Sequence, residues 1–484
     1  MPLSMPAIDW EALRPFLWLC GGGLVSILLA VGPRRARAGA APAALLSIAL
    51  AARSIYFLWD GPRITLGGMV AVDRFALVFD VLFLATAFLA ILLSMADLRR
   101  KGVDHGEFYA LMLFATAGMT MMAGSTNLLG LFLGLEILSL PLYIMSGFTR
   151  LQPRSLEAAL KYFLMGAFST GFTLYGMALL YGATRTLDLR QMAAAIAIGA
   201  SGRTGLLVAG FTLTLIGFLF KIAAFPFHFW LPDVYQGAPT TVTGYMIAGT
   251  KAAAFAAILR VLTTAFWSDG FAADWTRLLA VIAVLTMTVG NVVAIAQSNI
   301  KRMLAYSSIA HAGYILVAVV CKTDQGLESV PFYLATYLFM NLGAFAIVSL
   351  VEATRGGDEV GELLQAYAGL GKREPVHAAA MALFMFALTG MPLTAGFAGK
   401  FFIFRAAIDA KLYALAIIGV LNSVVSAAYY LRVIVYMYFR EPATEPGPIR
   451  AAVPARIALA ASVLGVLWLG VFPGPLAALF SRLL

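Results

Sequence analysis

The sequence predicts an all-α integral membrane protein of about fourteen transmembrane helices, arranged as inverted repeats with two discontinuous helices, the seventh and twelfth spans. Three observations carry this. Of the 484 residues, 61% are hydrophobic and 12% charged, with a mean hydropathy of +0.88, whereas a soluble domain uses about 25% charged residues to coat its surface. Apolar stretches long enough to cross a hydrocarbon core of about 30 Å recur to the end of the chain. Two of them are interrupted by Pro and Gly, each with one lysine beside the interruption.

The stretches fall near 10–31, 40–59, 75–96, 107–123, 126–149, 157–181, 205–231, 239–263, 276–298, 302–321, 329–352, 376–404, 412–438 and 454–481. They are continuously apolar, where the strands of a membrane barrel would alternate, so a β-barrel is excluded. Asp9 and Glu11 precede the first run, Phe16 to Val31, where an export signal wants basic residues, so that run is read as a span and not as a cleaved leader. The polar stretches near 182–204, 353–375 and 439–453 are loop-sized.

The formal net charge of +10 would suit nucleic acid if it were clustered on a soluble face, but the basic residues sit in short runs between spans and mark topology instead. Arg34, Arg35 and Arg37, Arg99 to Lys101, Arg150 and Arg154, Lys301 and Arg302, Arg355 with Lys372 and Arg373, and Arg440, Arg450 and Arg456 fall on one side in an alternating count. That side is expected to be cytoplasmic, with both termini on the other. Cys20 and Cys321 are the only cysteines, and His105, His228, His311 and His377 are far apart in sequence, so no iron–sulfur, haem or zinc site is expected from this chain.

In the seventh stretch Lys221 is followed by Pro226, His228 and Pro232; in the twelfth, Gly390, Pro392, Gly396 and Gly399 precede Lys400. Proline removes a backbone donor and breaks the helix. Backbone freed at membrane depth is tolerated only against protein or a water-filled cavity. Paired breaks in two halves are the sequence pointer to an inverted-repeat transporter.

The remaining chemistry lies in charges placed inside the spans, at Glu136, Lys221, Lys251 and Lys400. Each costs about 2.5–3.5 kcal/mol at the bilayer centre unless it is partnered or neutralised. Lysine can lose its proton when desolvated and regain it beside a carboxylate, which arginine cannot do. The alternative for any one of the four is a structural anchor or a snorkelling side chain. His228 and His311 either relay protons or pack between helices; Lys161 either relays or forms a surface pair with Glu157. Arg53, Arg260 and Arg432 lie nearer span ends and read as snorkelling groups, and His105 and His377 as loop residues. The run Gly390 to Lys400 is not a phosphate loop, since Phe401 stands where Ser or Thr should follow the lysine.

The segment from Phe220 through Lys221, Pro226, His228 and Trp230 to Pro232-Asp233-Val-Tyr235-Gln-Gly237-Ala-Pro239-Thr resembles the signature of the antiporter-like proton-pumping subunits of respiratory complex I, in the wording most similar to subunit N. The runs around Glu136, from Asn299 to Tyr314, and from Leu388 to Lys400 agree, so the resemblance spans nearly the whole chain. It implies an N-terminal three-helix region over 1–106, antiporter-like repeats over 107–263 and 264–438, and a C-terminal helix in 439–484. Glu136 would hold Lys221 charged, Lys221 and Lys251 would carry protons centrally, Lys400 would serve the exit side, and His228 and His311 would lie on the axis between them. The complex would transfer electrons from NADH to quinone, with FMN, iron–sulfur clusters and the quinone site in other subunits and no cofactor in this chain. Expected partners are subunits M, K and J, the lateral helix of subunit L and membrane lipids in a bacterial inner membrane, with no nucleic acid. The alternatives are a subunit of a multi-subunit sodium/proton antiporter, disfavoured by the Asp233-to-Pro239 wording together with Lys251, and a structural scaffold, which leaves the four charges unexplained.

Overall fold

The computed structural model describes residues 8–198, 204–354, 358–442 and 447–481; Arg355, counted above with the basic loops, lies outside them. Each apolar stretch coincides with a helix or a broken pair of helices. Apart from single-turn pieces they run α1 (Arg14–Val31), α2 (Ala40–Leu58), α3 (Arg74–Arg100), α4 (Gly106–Gly124), α5 (Leu128–Ser146), α6 (Pro153–Thr184), α7 (Leu189–Ala197), α8 (Thr204–Ile222), α9 (Trp230–Gly237) and α10 (Thr240–Tyr245). They continue as α11 (Lys251–Ala265), α12 (Asp269–Ile295), α13 (Ile300–Val320), α14 (Asp324–Glu352), α15 (Pro375–Thr389), α16 (Ala395–Asp409), α17 (Tyr413–Phe439), α18 (Val453–Val471) and α19 (Gly474–Phe480). Among the described residues, twelve helices are long and apolar enough to cross a membrane, counting Thr240–Ala265 as one, with the shorter apolar α15 besides.

The spans start where short polar side chains satisfy the first free N–H groups. Asp73 accepts from the Ala76 amide ahead of α3, Asn127 from Leu129 ahead of α5, and Asn299 from Arg302 ahead of α13. The seventh stretch leaves helical geometry after Ile222 and resumes it at Trp230, with a cis peptide at Phe225–Pro226. The twelfth stops at Thr389, where Gly390 takes a left-handed φ of 92°, and resumes at Ala395. Between α10 and α11 the residues Met246–Thr250 form a π turn, and Lys251 follows it.

Helices α13 and α14 are almost wholly buried and, with α3 and the α10–α11 pair, form the centre; α1, α6 and α18 bury about a third of their spans. With little hydrophobic drive between helices in lipid, close backbone approach supplies the packing. A methyl group on Gly118 of α4 would meet the Leu138 amide of α5 at 2.3 Å, so those helices touch backbone to backbone.

One backbone clasp occurs twice. Ahead of α5, Leu128 N–H donates to Leu187 O and Leu189 N–H to Thr126 O; ahead of α13, Ile300 N–H donates to Glu362 O and Leu364 N–H to Ser298 O. Both clasps tie an Asn-capped span to the segment that follows the next long helix.

Three details were not legible in the sequence. An antiparallel hairpin, β1 (Arg63–Thr65) with β2 (Val70–Val72), caps the gap between α2 and α3. The 182–204 stretch holds α7, capped by Asp188. The last apolar stretch splits into α18 and α19 at Phe472 and Pro473, because proline cannot continue the helix.

Candidate functional site

Polar side chains line up through the middle of the bundle in two clusters. In the first, Lys221 ends α8 and is 5% exposed. Its Nζ donates to Ser139 Oγ at 2.7 Å and to the Tyr162 hydroxyl at 3.3 Å, and lies 5.9 Å from the Tyr143 ring centre. Glu136 sits one turn from Ser139 on α5, half-buried, within electrostatic reach of Lys221 but joined to it by no ion pair, and its Oε1 has no hydrogen-bond partner among the described residues. Trp230 stacks on Tyr162 and its indole N–H donates to Phe220 O, which also accepts from the Ala223 amide in the last turn before the break. His228 lies in the break itself, stacked on Phe225, with Nδ1 unpartnered among the described residues.

Lys161 bridges the two readings made of it. It pairs with Glu157 at 2.7 Å, as the surface alternative requires, and also with Asp233 at 2.8 Å. Asp233 binds Arg302 as well, at 2.6 Å, so α6, α9 and α13 meet on one carboxylate. Burial pushes the Asp233 carboxyl up, but the hydrogen bonds and charges of Lys161 and Arg302 outweigh it and hold it below the usual carboxylate range.

In the second cluster, Lys251 is 2% exposed and donates to both the hydroxyl and the carbonyl of Ser308, with the Tyr337 ring centre 5.5 Å away. One turn along α13, His311 places Nδ1 2.6 Å from the Tyr333 hydroxyl and Nε2 3.1 Å from the Tyr430 hydroxyl, and Tyr430 also bonds Ser307. His311 lies within electrostatic reach of Lys251 and of Lys400. Lys400 on α16 turns back onto the broken twelfth stretch and donates to Leu388 O at 3.2 Å and Thr389 O at 2.8 Å, with the Tyr314 ring centre at 4.9 Å. Those carbonyls end α15 and lie before Pro392, so Lys400 caps the outgoing half-helix.

Among the described residues, Lys221, Lys251 and Lys400 have no carboxylate within ion-pairing distance, unlike the buried Lys301. Their ammonium groups are held by neutral oxygens and aromatic faces, an environment in which the nearest mobile charge decides whether the proton stays. At an effective dielectric near 20, two charges 4 Å apart interact by about 4 kcal/mol. A displacement of that size moves a proton affinity by about three units.

Several participants escaped the sequence reading. Lys301 and Glu362 form a buried pair at 3.3 Å, joined by Arg154 at 3.1 Å and by Asn299, and Lys301 also donates to Ala238 O. Glu352 accepts from the Thr240 hydroxyl at 2.6 Å. Tyr333, Tyr337, Ser307 and Ser308 were the available signal, being polar groups at helical spacing around His311 in otherwise apolar runs. Arg260 does not snorkel: its side chain is 11% exposed and holds Asp73 through Nη1 at 2.6 Å and Nη2 at 2.8 Å. Arg432 caps the end of α12, donating to Ile295 O at 2.7 Å, and His377 is a first-turn residue of α15 paired with Glu374 at 3.1 Å rather than a loop residue. No group of three or more His, Cys, Asp or Glu among the described residues could hold a metal ion.

Residues 125–426 match a sequence family described as NADH:quinone oxidoreductase/Mrp antiporter, transmembrane. NADH-quinone oxidoreductase subunit N of Trichlorobacter lovleyi is 47% identical over 96% of this chain and 95% of its own length. NADH-quinone oxidoreductase subunit N 1 of Solibacter usitatus is 41% identical over 98% and 97%. A chain of the respiratory complex I of Thermus thermophilus with bound aureothin superposes with a TM-score of 0.80 at 37% identity, covering 96% of this chain and 98% of that one. A chain of the Mrp complex from Dietzia sp. DQ12-45-1b superposes at 0.84 but is 22% identical, a likeness of fold alone.

Proposed function

The chain belongs to the NADH-quinone oxidoreductase subunit N family, the proton-translocating membrane subunits of that complex, and we propose that its protons move along the axis from Glu136 and Lys221 through Lys251 and His311 to Lys400. The observation that carries this is the environment of Lys251: a lysine 2% exposed whose hydrogen bonds, among the described residues, go only to Ser308, which lies one turn of α13 before His311, a histidine within electrostatic reach of both Lys251 and Lys400. A structural lysine at that depth would be expected to hold a carboxylate.

In this reading Glu136 is the acid whose approach to Lys221, or withdrawal from it, shifts the proton on Lys221. Ser139 and Tyr162 hold the ammonium between those events. Tyr333 and Tyr430 orient the His311 ring, and Ser308 bridges that ring's turn of α13 to Lys251. Lys161, with Asp233 and Arg302, and His228 at the first break serve the side from which protons are taken up. The two backbone clasps support the division into repeats over 107–263 and 264–438. Electron transfer from NADH to quinone, with FMN, the iron–sulfur clusters and the quinone site, is assigned to other subunits. The neighbours assigned are subunits M, K and J, the lateral helix of subunit L and the lipids of a bacterial inner membrane.

The test is Lys251→Ala in the assembled complex, reconstituted in liposomes, with NADH-driven proton uptake measured against NADH oxidised. A lower ratio is expected. A wild-type ratio would remove Lys251 from the pathway and leave the proposal without its main support.

A further inference from the structure

The first part of α3 carries a buried acid that this pathway does not use. Asp80 is 6% exposed, and its Oδ1 is buried with no hydrogen-bond partner among the described residues. Buried polar oxygens are almost always satisfied, by water where protein offers nothing. Asp80 lines a cavity of about 40 Å³ together with Phe16, Thr120, Met121 and the strand β2. That exceeds the roughly 10–15 Å³ one water requires, and water needs polar groups to bind, which Asp80 and Thr120 supply. Among the described residues the lining offers one carboxylate, where a calcium-like ion takes six to eight oxygen ligands. A proton and water fit; a metal ion does not.

Its position along the bundle sets the level of the acid relative to Lys251. Helices α3 and α11 pack against each other and run in opposite directions: Arg260 of α11 holds Asp73 at the start of α3, while a methyl group on Gly249, before α11, would lie 3.4 Å from Thr86 of α3. Asp80 therefore lies at a level between Arg260 and Lys251, which are about 13 Å apart along one helix at 1.5 Å per residue. Asp73 and Arg260 are the charged groups within its electrostatic reach. The cavity runs from Asp80 toward the hairpin, on the face opposite the basic loop Arg99 to Lys101.

We propose that Asp80 and the water in its cavity form a proton-binding site connecting the Lys251 end of α11 with the face that carries the hairpin; this rests on the reading of Lys251 as a proton carrier. The ammonium of Lys251 gives its proton through water to the Asp80 carboxylate, leaving a neutral amine and a carboxylic acid. The acid then releases that proton to water beside the hairpin and returns to the carboxylate.

The assembled complex in liposomes is compared as wild type, Asp80→Asn, Asp80→Glu and Lys251→Ala, measuring protons moved per NADH oxidised and the redox-induced infrared difference spectrum in the carboxylic-acid region. Asparagine has the same shape and can hydrogen-bond the same water but carries no exchangeable acid. The expected result is a lower proton ratio and loss of one carboxylic-acid band in Asp80→Asn, with both restored in Asp80→Glu and the band displaced. A wild-type ratio in Asp80→Asn, or an Asp80→Glu variant as impaired as Asp80→Asn, overturns the proposal. Should Asp80→Asn fail to assemble, a displaced band in Asp80→Glu supports the site and an unmoved spectrum overturns it. A normal ratio in Lys251→Ala removes the carrier reading and this inference with it; an impaired Lys251→Ala beside a normal Asp80→Asn removes this inference alone.

Discussion

The Lys221 ammonium donates to the Ser139 hydroxyl at 2.7 Å, one helical turn along α5 from Glu136, and forms no ion pair with Glu136 itself. The lysine is thus held by neutral groups one turn from the acid, with Glu136 Oε1 left unpartnered among the described residues. A locked buried pair would resist separation by several kcal/mol; a serine hydroxyl accepting from the ammonium is worth about 1.5–3 kcal/mol. The arrangement suits a charge that must come and go.

Glu136→Gln and Lys221→Ala should each cut NADH-driven pumping while NADH oxidation by an artificial acceptor, which other subunits perform, continues. Ser139→Ala should have a smaller effect, equivalent to about 1.5 kcal/mol, or roughly tenfold, in the proton equilibrium of Lys221. Pumping and acceptor reduction measured on the same assembled preparations check this. Loss of acceptor reduction in well-assembled enzyme would count against the assignment.

Lys400 has two roles that one substitution separates. Arginine keeps the charge and can still donate to the Leu388 and Thr389 carbonyls that Lys400 now caps, but it does not release its proton. If Lys400 carries protons, Lys400→Arg should impair pumping nearly as much as Lys400→Ala in enzyme shown to assemble. Near-normal pumping by the arginine variant would leave only the capping role.

His311 is fixed from both ring nitrogens, so removing one hydroxyl should loosen the ring without deleting the group that titrates. Tyr333→Phe is expected to reduce pumping by a few-fold, in line with about 1 kcal/mol for one hydrogen bond, and His311→Ala by considerably more. Equal loss in the two variants would point to packing around the tyrosines as the cause.

The Asp73–Arg260 pair should be a stability element. The pair is half-buried, with the Asp73 side chain 30% exposed, so its loss should cost more than the roughly 0–1 kcal/mol of a surface pair but less than the ~3–5 kcal/mol of a fully buried one, and Arg260→Ala should lower the thermal stability of the assembled complex. Burial pushes the Asp73 carboxyl up, but Arg260 outweighs it and holds the group below its ordinary value. Its contribution is therefore present above about pH 4 and lost as the pH falls through the depressed value. A wild-type melting temperature for Arg260→Ala at neutral pH would refute this.

Both termini should be accessible from one side of the membrane and the 353–375 loop from the other, as the basic loops imply. Labelling of single introduced cysteines in right-side-out and inverted vesicles reads this directly. Placement of the C-terminus and that loop on the same side would refute the even number of spans.

The sequence by itself determined the helical spans, the two interruptions at Pro226 and at Gly390–Pro392, and the short list of charges inside the bilayer. Each of these follows from local free energy: apolar transfer summed over about twenty residues, the missing donor of proline, the cost of a charge in hydrocarbon. Tertiary structure alone decided what each charge meets. That Lys221 finds Ser139 rather than Glu136, that Asp233 gathers Lys161 and Arg302, that Arg260 closes on Asp73, and that Asp80 faces a cavity all depend on how helices far apart in sequence are rotated and crossed. Between helices of nearly uniform hydrophobicity, that rotation is set by backbone contact at small residues such as Gly118 and by a few interhelical hydrogen bonds, and these exist only once the bundle has assembled.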